Sequence, residues 1–152
     1  MALEFNTIGV KLKYCVETSA GSRPTSGYTQ IPNIKATPSI DINPAKIQVT
    51  DLEDEYHRYV DGVKDVGESF DFTANFTSDL KAKWASLVTA AQAAWASQKS
   101  TWFEICIPNA DSFFFAGIPG ELGVNEMAVD SVIESTLHIV PNQIAGWATA
   151  SS

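Results

Sequence analysis

Most of the chain alternates apolar and polar residues with a period of two, which is the pattern of strands that bury one face. The clearest example is the segment 69–76, in which every second residue is apolar: Phe70, Phe72, Ala74 and Phe76. The same alternation covers 10–16 and 127–140, and it predicts shorter strands at 46–52, 101–107 and 112–118. One-faced strands of this kind are typical of antiparallel sheets.

One segment, from about residue 78 to about residue 98, instead has the spacing of an amphipathic helix. Its apolar residues follow steps of three and four: Leu80, Trp84, Leu87, Val88, Ala91 and Trp95. Thr77 or Ser78 suits the N-cap, and we expect Trp84 and Trp95 to anchor the helix in the core. We therefore predict a β-rich α+β fold, an antiparallel β-sandwich or barrel-like sheet with one flanking helix, long loops and terminal arms.

The 152 residues are enough for one domain, and we predict a single domain over 1–152. Residues 1–9 and 141–152 are predicted to be terminal arms, and two turn-rich loops span 17–31 and 53–68. Apolar residues in weakly structured arms indicate docking, either onto another molecule or onto the chain's own surface. The arm residues predicted to make such contacts are Phe5, Ile144 and Trp147.

The charge is acidic and unevenly distributed. The chain has 10 Lys and Arg against 18 Asp and Glu, a formal charge of −8, which argues against ordinary nucleic-acid binding. No Lys or Arg follows Lys99, and none lies between Lys64 and Lys81. The strands predicted in these stretches therefore carry acidic or neutral polar side chains. This pattern fits either a solvated sheet face or a surface that must not bind a polyanion.

Catalytic and metal-binding patterns are missing from the sequence. His57 and His138 lie in different predicted elements, and the segment 67–71 lacks the second glycine of a nucleophile elbow. The acidic run 51–55 is followed by Tyr56, where a calcium loop requires glycine. Cys15 and Cys106 could meet in a sheet, but two cysteines are too few for a four-ligand zinc site. We predict neither an enzyme nor a bound metal or cofactor.

The start of the chain shows no signal peptide, and no run approaches the roughly 20 apolar residues of a membrane span. We therefore expect a protein that folds in the cytoplasm and is not anchored in a membrane.

Short segments spread in order over the whole chain carry a family resemblance: 8–14, 17–25, 27–29, 31–32, 49–52, 59–67, 70–75, 102–105 and 115–117. These segments resemble the major tail tube proteins of long-tailed bacteriophages, most closely those of non-contractile, siphophage-like tails. The resemblance implies subunits that form hexameric rings, with the rings stacked into a tube through which DNA passes without specific binding. It also implies other tail proteins as partners, namely the tape measure, terminator and tip or baseplate proteins, and a location in the virion tail after assembly in the host cytoplasm.

The predicted site residues follow from this interpretation. The channel-lining residues are Asp71, Thr73, Asn75, Asp130 and Glu134. The residues of loop 53–68 predicted to contact neighbouring subunits are Tyr56, Arg58, Tyr59, Val60 and Asp65. A carboxylate lining would repel DNA weakly and uniformly, whereas lysines would hold it by releasing its counterions.

Two other interpretations stay open at the level of the sequence. The chain could be the tube protein of a contractile tail or of a phage-derived injection system, because these share the fold implied by the resemblance. A stand-alone β-sandwich that binds sugar or peptide through its long loops would require a signal peptide and an aromatic binding face, and neither is evident.

Overall fold

The computed structural model describes residues 8–63 and 69–151. The chain forms two compact units, one made of Met1–Pro38 with Ser69–Ser152 and the other of Ser39–Glu68. That residues 1–152 form a single domain stays a prediction. The predicted fold class is confirmed, because the larger unit combines a nearly closed, barrel-like antiparallel sheet with one helix.

The larger unit contains seven strands and one helix. The strands are β1 (Lys11–Val16), β2 (Thr29–Ile31), β3 (Ile34–Ala36), β6 (Phe70–Asn75), β7 (Thr101–Cys106), β8 (Ser112–Pro119) and β9 (Glu134–Ala148), and the helix is α1 (Ser78–Ala96). The smaller unit contains the hairpin of β4 (Lys46–Gln48) and β5 (Tyr59–Asp61).

The two edges of the seven-stranded sheet are joined by the chain itself. The strand order is β2-β1-β7-β8-β9-β6-β3, so β2 and β3 lie at opposite edges. Yet Pro32 and Asn33 are the only residues between these two strands, and three peptide steps span at most about 11 Å. Asn33 has a φ of 64°, and its carbonyl accepts a hydrogen bond of 3.0 Å from the amide of Asn75. The sheet must therefore curl until its edges approach each other.

The inner face of the curled sheet holds an aromatic core. Phe115 of β8 lies at its centre, with ring-centroid distances of 5.1 Å to Phe70, 5.4 Å to Phe103 and 6.3 Å to Phe72. All four side chains are fully buried. In β6 the period-two pattern of the sequence corresponds to one buried and one accessible face. The prediction of one-faced strands is wrong for β7 and β8, which are buried on both faces over most of their length.

Helix α1 covers part of this inner face. The Thr77 hydroxyl accepts a hydrogen bond from the Leu80 amide and caps the helix, as predicted. Trp84 is buried, and its indole Nε1 donates to the Gly120 carbonyl at 2.8 Å. The prediction that Trp95 also anchors the helix is wrong, because this side chain is 62% exposed. The smaller Ala94 takes the buried position in the last turn, and Trp95 lies at the rim of the apolar stripe.

The strand predicted at 127–140 begins later than expected. In the structure β9 starts at Glu134, because its partner β6 ends at Asn75 and the chain then turns into α1. The Phe76 amide donates to the Ile133 carbonyl at 2.9 Å, which is the last contact of this pair of segments. Residues 127–133 are irregular, and Asp130 lies in a turn with a φ of 62°, a conformation that Asp tolerates.

The predicted C-terminal arm from residue 141 is also corrected. Residues 141–148 form the second half of β9 and pair with β8, with Ile144 opposite Phe115 and Trp147 opposite Phe113. The register shifts between the pairs that contain Pro141 and Gln143, next to a proline that lacks an amide for the ladder. A bulge therefore allows the strand to continue past Pro141 where the sequence suggested that it ends.

Gly117 is expected to be essential for the β8–β9 pairing. A Cβ at this position would lie 2.7 Å from the Val140 carbonyl oxygen and 2.8 Å from Ile139 Cγ2, so the Gly117→Ala variant must shift backbone atoms. We expect its free energy of unfolding, measured in urea, to fall by about 1–3 kcal/mol.

The matched control is Gly120→Ala, whose Cβ would lie 3.5 Å from its nearest neighbour, the His138 carbonyl oxygen. This variant should be as stable as the wild type or more stable by about 0.4–1 kcal/mol. Equal free energies of unfolding for the two variants would contradict the steric explanation.

Candidate functional site

Four of the five predicted channel residues share one surface. In β6 the side chains of Asp71, Thr73 and Asn75 point away from the buried set. The register with β9 is Asp71 opposite His138, Thr73 opposite Thr136 and Asn75 opposite Glu134. Residues directly opposite in an antiparallel pair lie on the same face. We call these six residues the polar face.

Asp130 does not belong to the polar face. The prediction placed it on a strand with the parity of Glu134, but it lies in the turn before β9 and is exposed there. Residues 127–133 have no strand partner, so the even spacing in the sequence carries no information about their direction. That the polar face lines a channel stays a prediction.

The charges on the polar face are paired. The Lys35 ammonium of the edge strand β3 forms an ion pair with the Glu134 carboxylate. Asp71 Oδ1 lies 2.6 Å from His138 Nδ1 and accepts a hydrogen bond of 2.8 Å from the Ser69 hydroxyl. The Ser69 hydroxyl and then His138 hold the pKa of Asp71 below its ordinary value. The expectation of a sheet surface free of basic groups is therefore wrong, because β3 supplies Lys35 from a distant part of the sequence.

Ser69, Asp71 and His138 are the residue types of a catalytic triad, but their hydrogen bonds connect them in a different order. Both Ser69 Oγ and His138 Nδ1 contact the same oxygen of Asp71. Activation of a serine needs a hydrogen bond from its hydroxyl to histidine, with the carboxylate on the other side of the imidazole. Here the carboxylate lies between the serine and the histidine, so the imidazole is not placed to accept the Ser69 proton.

The smaller unit presents an apolar surface on its hairpin. Ile47 of β4 lies opposite Val60 of β5, and their side chains are 53% and 47% exposed. Tyr56 and Tyr59 are exposed as well. Three of the residues predicted to contact other subunits are therefore accessible. Asp65 lies outside the described residues.

The connection between β4 and β5 has internal hydrogen bonds. The Arg58 amide donates to Thr50 Oγ1 at 2.8 Å, and its guanidinium Nε donates to Asp54 at 2.8 Å, with Asp51 3.6 Å from Nη2. His57 Nδ1 lies 2.9 Å from the side-chain amide of Gln48. Arg58, predicted to pair with a neighbouring subunit, thus has carboxylate partners within its own loop.

Two of the three residues predicted to make arm contacts lie in a strand instead of an arm. Phe5 lies outside the described residues, and Ile144 and Trp147 are part of β9. Trp147 packs edge-on against Phe113 with 5.5 Å between ring centroids, although it is 60% exposed. These two apolar residues belong to the sheet of their own chain.

The outer surface of β7 and β8 is covered by the loop after β1. Trp102 and Phe114 are buried there, and Trp102 Nε1 donates to Glu17 Oε1 at 2.8 Å. Tyr28 packs edge-on against Phe114, and the Arg23 guanidinium carbon lies 4.2 Å from the centre of the Phe114 ring. Burial raises the pKa of Tyr28 to about 12, and its hydroxyl donates to the Pro24 carbonyl at 2.8 Å.

Two buried carboxylates hold this covered region together, and sequence reasoning missed both. Glu17 accepts hydrogen bonds from Trp102 and, at 2.8 Å, from the Gly21 amide. Glu104 accepts two hydrogen bonds from Ser151, one of 3.0 Å from the Ser151 amide and one of 2.6 Å from the Ser151 hydroxyl. Burial raises the pKa of each carboxyl, but these hydrogen bonds outweigh it, so both pKa values lie below the ordinary value.

Several solved structures resemble this chain over nearly its full length. A chain of the anti-feeding prophage baseplate, solved by cryo-electron microscopy with six-fold symmetry, gives a TM-score of 0.62 at 8% identity, covering 96% of this chain and 97% of that chain. A chain from the tail of an empty gene transfer agent particle gives 0.59 at 15% identity, and one from the virion of the native particle gives 0.58 at 14%. Each covers 95% of this chain and 100% of its own. The fold is shared with these chains.

The sequence comparisons add no closer relative. No protein-family model matches this chain, and no curated protein matches it significantly. The likeness is therefore one of three-dimensional fold rather than of sequence.

The described residues also bear on other kinds of site. Within 8–63 and 69–151, no group of three or more His, Cys, Asp or Glu side chains is placed to hold a metal ion. Cys15 lies opposite Trp102 and Cys106 opposite Lys11, so the two cysteines are four residues apart along the β1–β7 ladder, about 13 Å. Neither forms a disulfide with the other. No helix in the described part of the chain is long and apolar enough to cross a membrane.

Acid is expected to destabilise the larger unit through Glu17 and Glu104. Each carboxyl has a lower pKa in the folded state than an ordinary glutamate, about 4.3, so its contribution to the free energy of unfolding is present above that pH. It is lost as the pH falls through the lower folded-state pKa. Glu104→Gln should cost about 1–3 kcal/mol near neutral pH, since Ser151 loses its charged acceptor.

In urea unfolding, the difference between Glu104→Gln and the wild type should shrink as the pH falls below the ordinary pKa of glutamate and the wild-type carboxyl becomes protonated. The control is Glu121→Gln at an exposed carboxyl, which should change the free energy of unfolding near neutral pH by no more than about 0.5 kcal/mol. A difference that stays constant with pH would contradict the role of the Glu104 charge.

Proposed function

We propose that this protein is a structural tail protein whose copies form hexameric rings stacked into a tube, through which DNA is ejected. The observation that carries the proposal is the fold shared, over at least 95% of this chain, with chains of a prophage baseplate, of a gene transfer agent tail and of a gene transfer agent virion. The baseplate and the empty-particle tail were both solved with six-fold symmetry. Other tail proteins are the proposed partners, and the virion tail the proposed location.

The dimensions of such a tube suit a DNA duplex. If each of six subunits gave four strands to a common barrel, with about 4.8 Å between strands and a tilt of about 40°, the backbone diameter would be about 48 Å. Side chains of about 5 Å on each wall would leave about 38 Å, enough for a duplex with its counterions.

The proposed channel surface is the polar face. It is hydrophilic, and its carboxylates Asp71 and Glu134 pair with His138 and Lys35. Because these nitrogen groups are paired, the face gives DNA phosphates no patch of free positive charge. The opposite face of the sheet is filled by the aromatic core, and the surface of β7 and β8 is covered by the loop that contains Tyr28. A structural rather than catalytic role fits the order of Ser69, Asp71 and His138.

A second candidate is a tube or baseplate component of a phage-derived injection apparatus. The observation that favours it is the resemblance to the anti-feeding prophage baseplate chain, which has the highest TM-score of the three structures. Both candidates predict the same rings, but they differ in whether the particles contain DNA. Particles purified with this protein in their tails should contain nuclease-protected DNA if the tube delivers DNA, and none if it belongs to an injection apparatus.

Assembly is expected to depend on the apolar surface of the hairpin. Val60→Asp places a charge beside Ile47 on a surface that the isolated chain exposes, so folding should change by no more than about 0.5 kcal/mol. If this surface packs against another subunit, burying the charge prevents assembly. Negative-stain microscopy should then show rings or tubes for the wild type and single molecules for Val60→Asp.

The control is Val129→Asp in the irregular segment before β9, where the valine is 90% exposed. This variant should assemble like the wild type. Normal tubes from Val60→Asp, or loss of assembly in both variants, would show that the hairpin is not the specific contact.

A further inference from the structure

Two nitrogen groups, the Lys35 ammonium next to the polar face and the His138 imidazole within it, each contact a carboxylate from a different strand. Lys35 of β3 pairs with Glu134 of β9, 99 residues later, and His138 of β9 contacts Asp71 of β6, 67 residues earlier. In β3, β6 and β9, Lys35 is the only lysine or arginine. The other charged residue beside Glu134 is an acid, Glu126, which lines the same shallow hollow.

The Lys35–Glu134 pair contributes little to stability. The two side chains are 54% and 32% exposed, and ion pairs of this kind typically stabilise a fold by about 0–1 kcal/mol. Its effect on local charge is larger, because a lysine in contact with a carboxylate presents a dipole instead of a net positive charge. A free lysine neutralises a DNA phosphate and releases its counterion, whereas a paired lysine must first leave its carboxylate.

We propose that Glu134 masks Lys35 from DNA phosphates, so that the polar face offers moving DNA no free cation. This inference rests on the proposed tube function, in which the face is repeated by symmetry in every ring. A weak attraction at one lysine would then recur along the whole conduit. Glu134 is thus a positioning residue for Lys35, and its carboxylate acts mainly as a fixed counter-ion.

The obvious alternative is that Glu134 acts simply through its own negative charge. The two mechanisms differ in what happens when both partners are neutralised. Under masking, Glu134→Gln frees Lys35 and slows DNA, and the double variant Lys35→Gln with Glu134→Gln restores the wild-type behaviour. Under simple repulsion, Glu134→Gln removes the same negative charge whether or not Lys35 is present, so the double variant is slower than Lys35→Gln alone. Under masking, the double variant and Lys35→Gln behave alike.

The experiment measures DNA release from particles whose tails are assembled from each variant, at about 20 mM and about 300 mM NaCl, which differ in screening. We expect Glu134→Gln to slow release several-fold at low salt and to be normal at high salt. The double variant should match the wild type at both concentrations. Slower release from the double variant than from Lys35→Gln alone at low salt, or normal release from Glu134→Gln at low salt, would overturn the masking proposal.

The smaller unit offers a matched control. Lys46 and Asp61 form the same kind of exposed ion pair on the hairpin, with side-chain exposures of 60% and 62%. Asp61→Asn frees a lysine in the same way but on the hairpin, which is not the proposed channel surface, so these particles should release DNA normally. Impairment by Asp61→Asn equal to that of Glu134→Gln would show that the polar face has no special role.

A second measurement applies if a variant does not assemble. The purified proteins are titrated with a fluorescent duplex of about 20 base pairs at low salt, and anisotropy reports binding. Freeing one lysine should steepen the dependence of log K on log salt by about 0.9 in Glu134→Gln and in Asp61→Asn, but not in the double variant. Identical salt slopes for the wild type, Glu134→Gln and the double variant would contradict masking.

Failure of this inference is separable from failure of the proposed function. If the wild type forms no rings or tubes, the tube proposal is wrong, whatever the duplex titration shows. If all variants build normal tails and release DNA at the wild-type rate, the tube proposal stands and masking is wrong.

Discussion

The architecture of the larger unit depends on the short link between β2 and β3. Ile31 and Ile34 belong to opposite edges of a seven-stranded sheet, yet two residues separate them. A flat sheet of seven strands would place its edges about 29 Å apart, which three peptide steps cannot span. The sheet therefore has to curl, and curling encloses one face. That enclosed face is where Phe115 and its aromatic neighbours pack and where α1 covers what the strands leave open.

Closure also removes the hazard of free sheet edges. Exposed edge strands recruit other chains, and small β-rich proteins must cover, shorten or pair them. Here both edge strands are three residues long, and the link between them is tied to β6 through Asn33. The remaining short ladder is the β4–β5 hairpin in the smaller unit. In a protein proposed to assemble, this arrangement directs association toward chosen surfaces rather than toward any free strand.

The outer face of the sheet is divided into two regions with different chemistry. Over β7 and β8 it is a second small core, with Trp102 and Phe114 beneath the loop of Tyr28 and with Glu17 and Glu104 as buried acceptors. Over β6 and β9 it is the polar face. Apolar and polar residues alternate along β6, whereas β8 also carries apolar residues, Phe114 and Ala116, on its outward side. The loop that contains Tyr28 folds back over this apolar part of the outer face. The covered region stabilises the chain, and the uncovered region is available for function.

The sequence by itself determined the local elements and much of the polar face. Periodicity and capping predicted α1 to within two residues of its end, the alternation of β6, and the fold class. Asp71, Thr73 and Asn75 share one side of β6 because strand parity is a local property, with side chains that point alternately to either side. These features depend on neighbours within one or two turns of chain, which is the range that a sequence pattern reports.

Only the tertiary structure decided which strands are partners and where their pairing stops. Asp130 is not on the polar face because β6 ends at Asn75. The segment after Pro141 is a strand and not an arm because it pairs with β8. Lys35 joined an acidic surface from 99 residues away because β3 closes the sheet beside β6. Each outcome follows from long-range register, in which the choice of partner depends on loop closure and on burial across the whole sheet. Local spacing along the chain does not encode those energies.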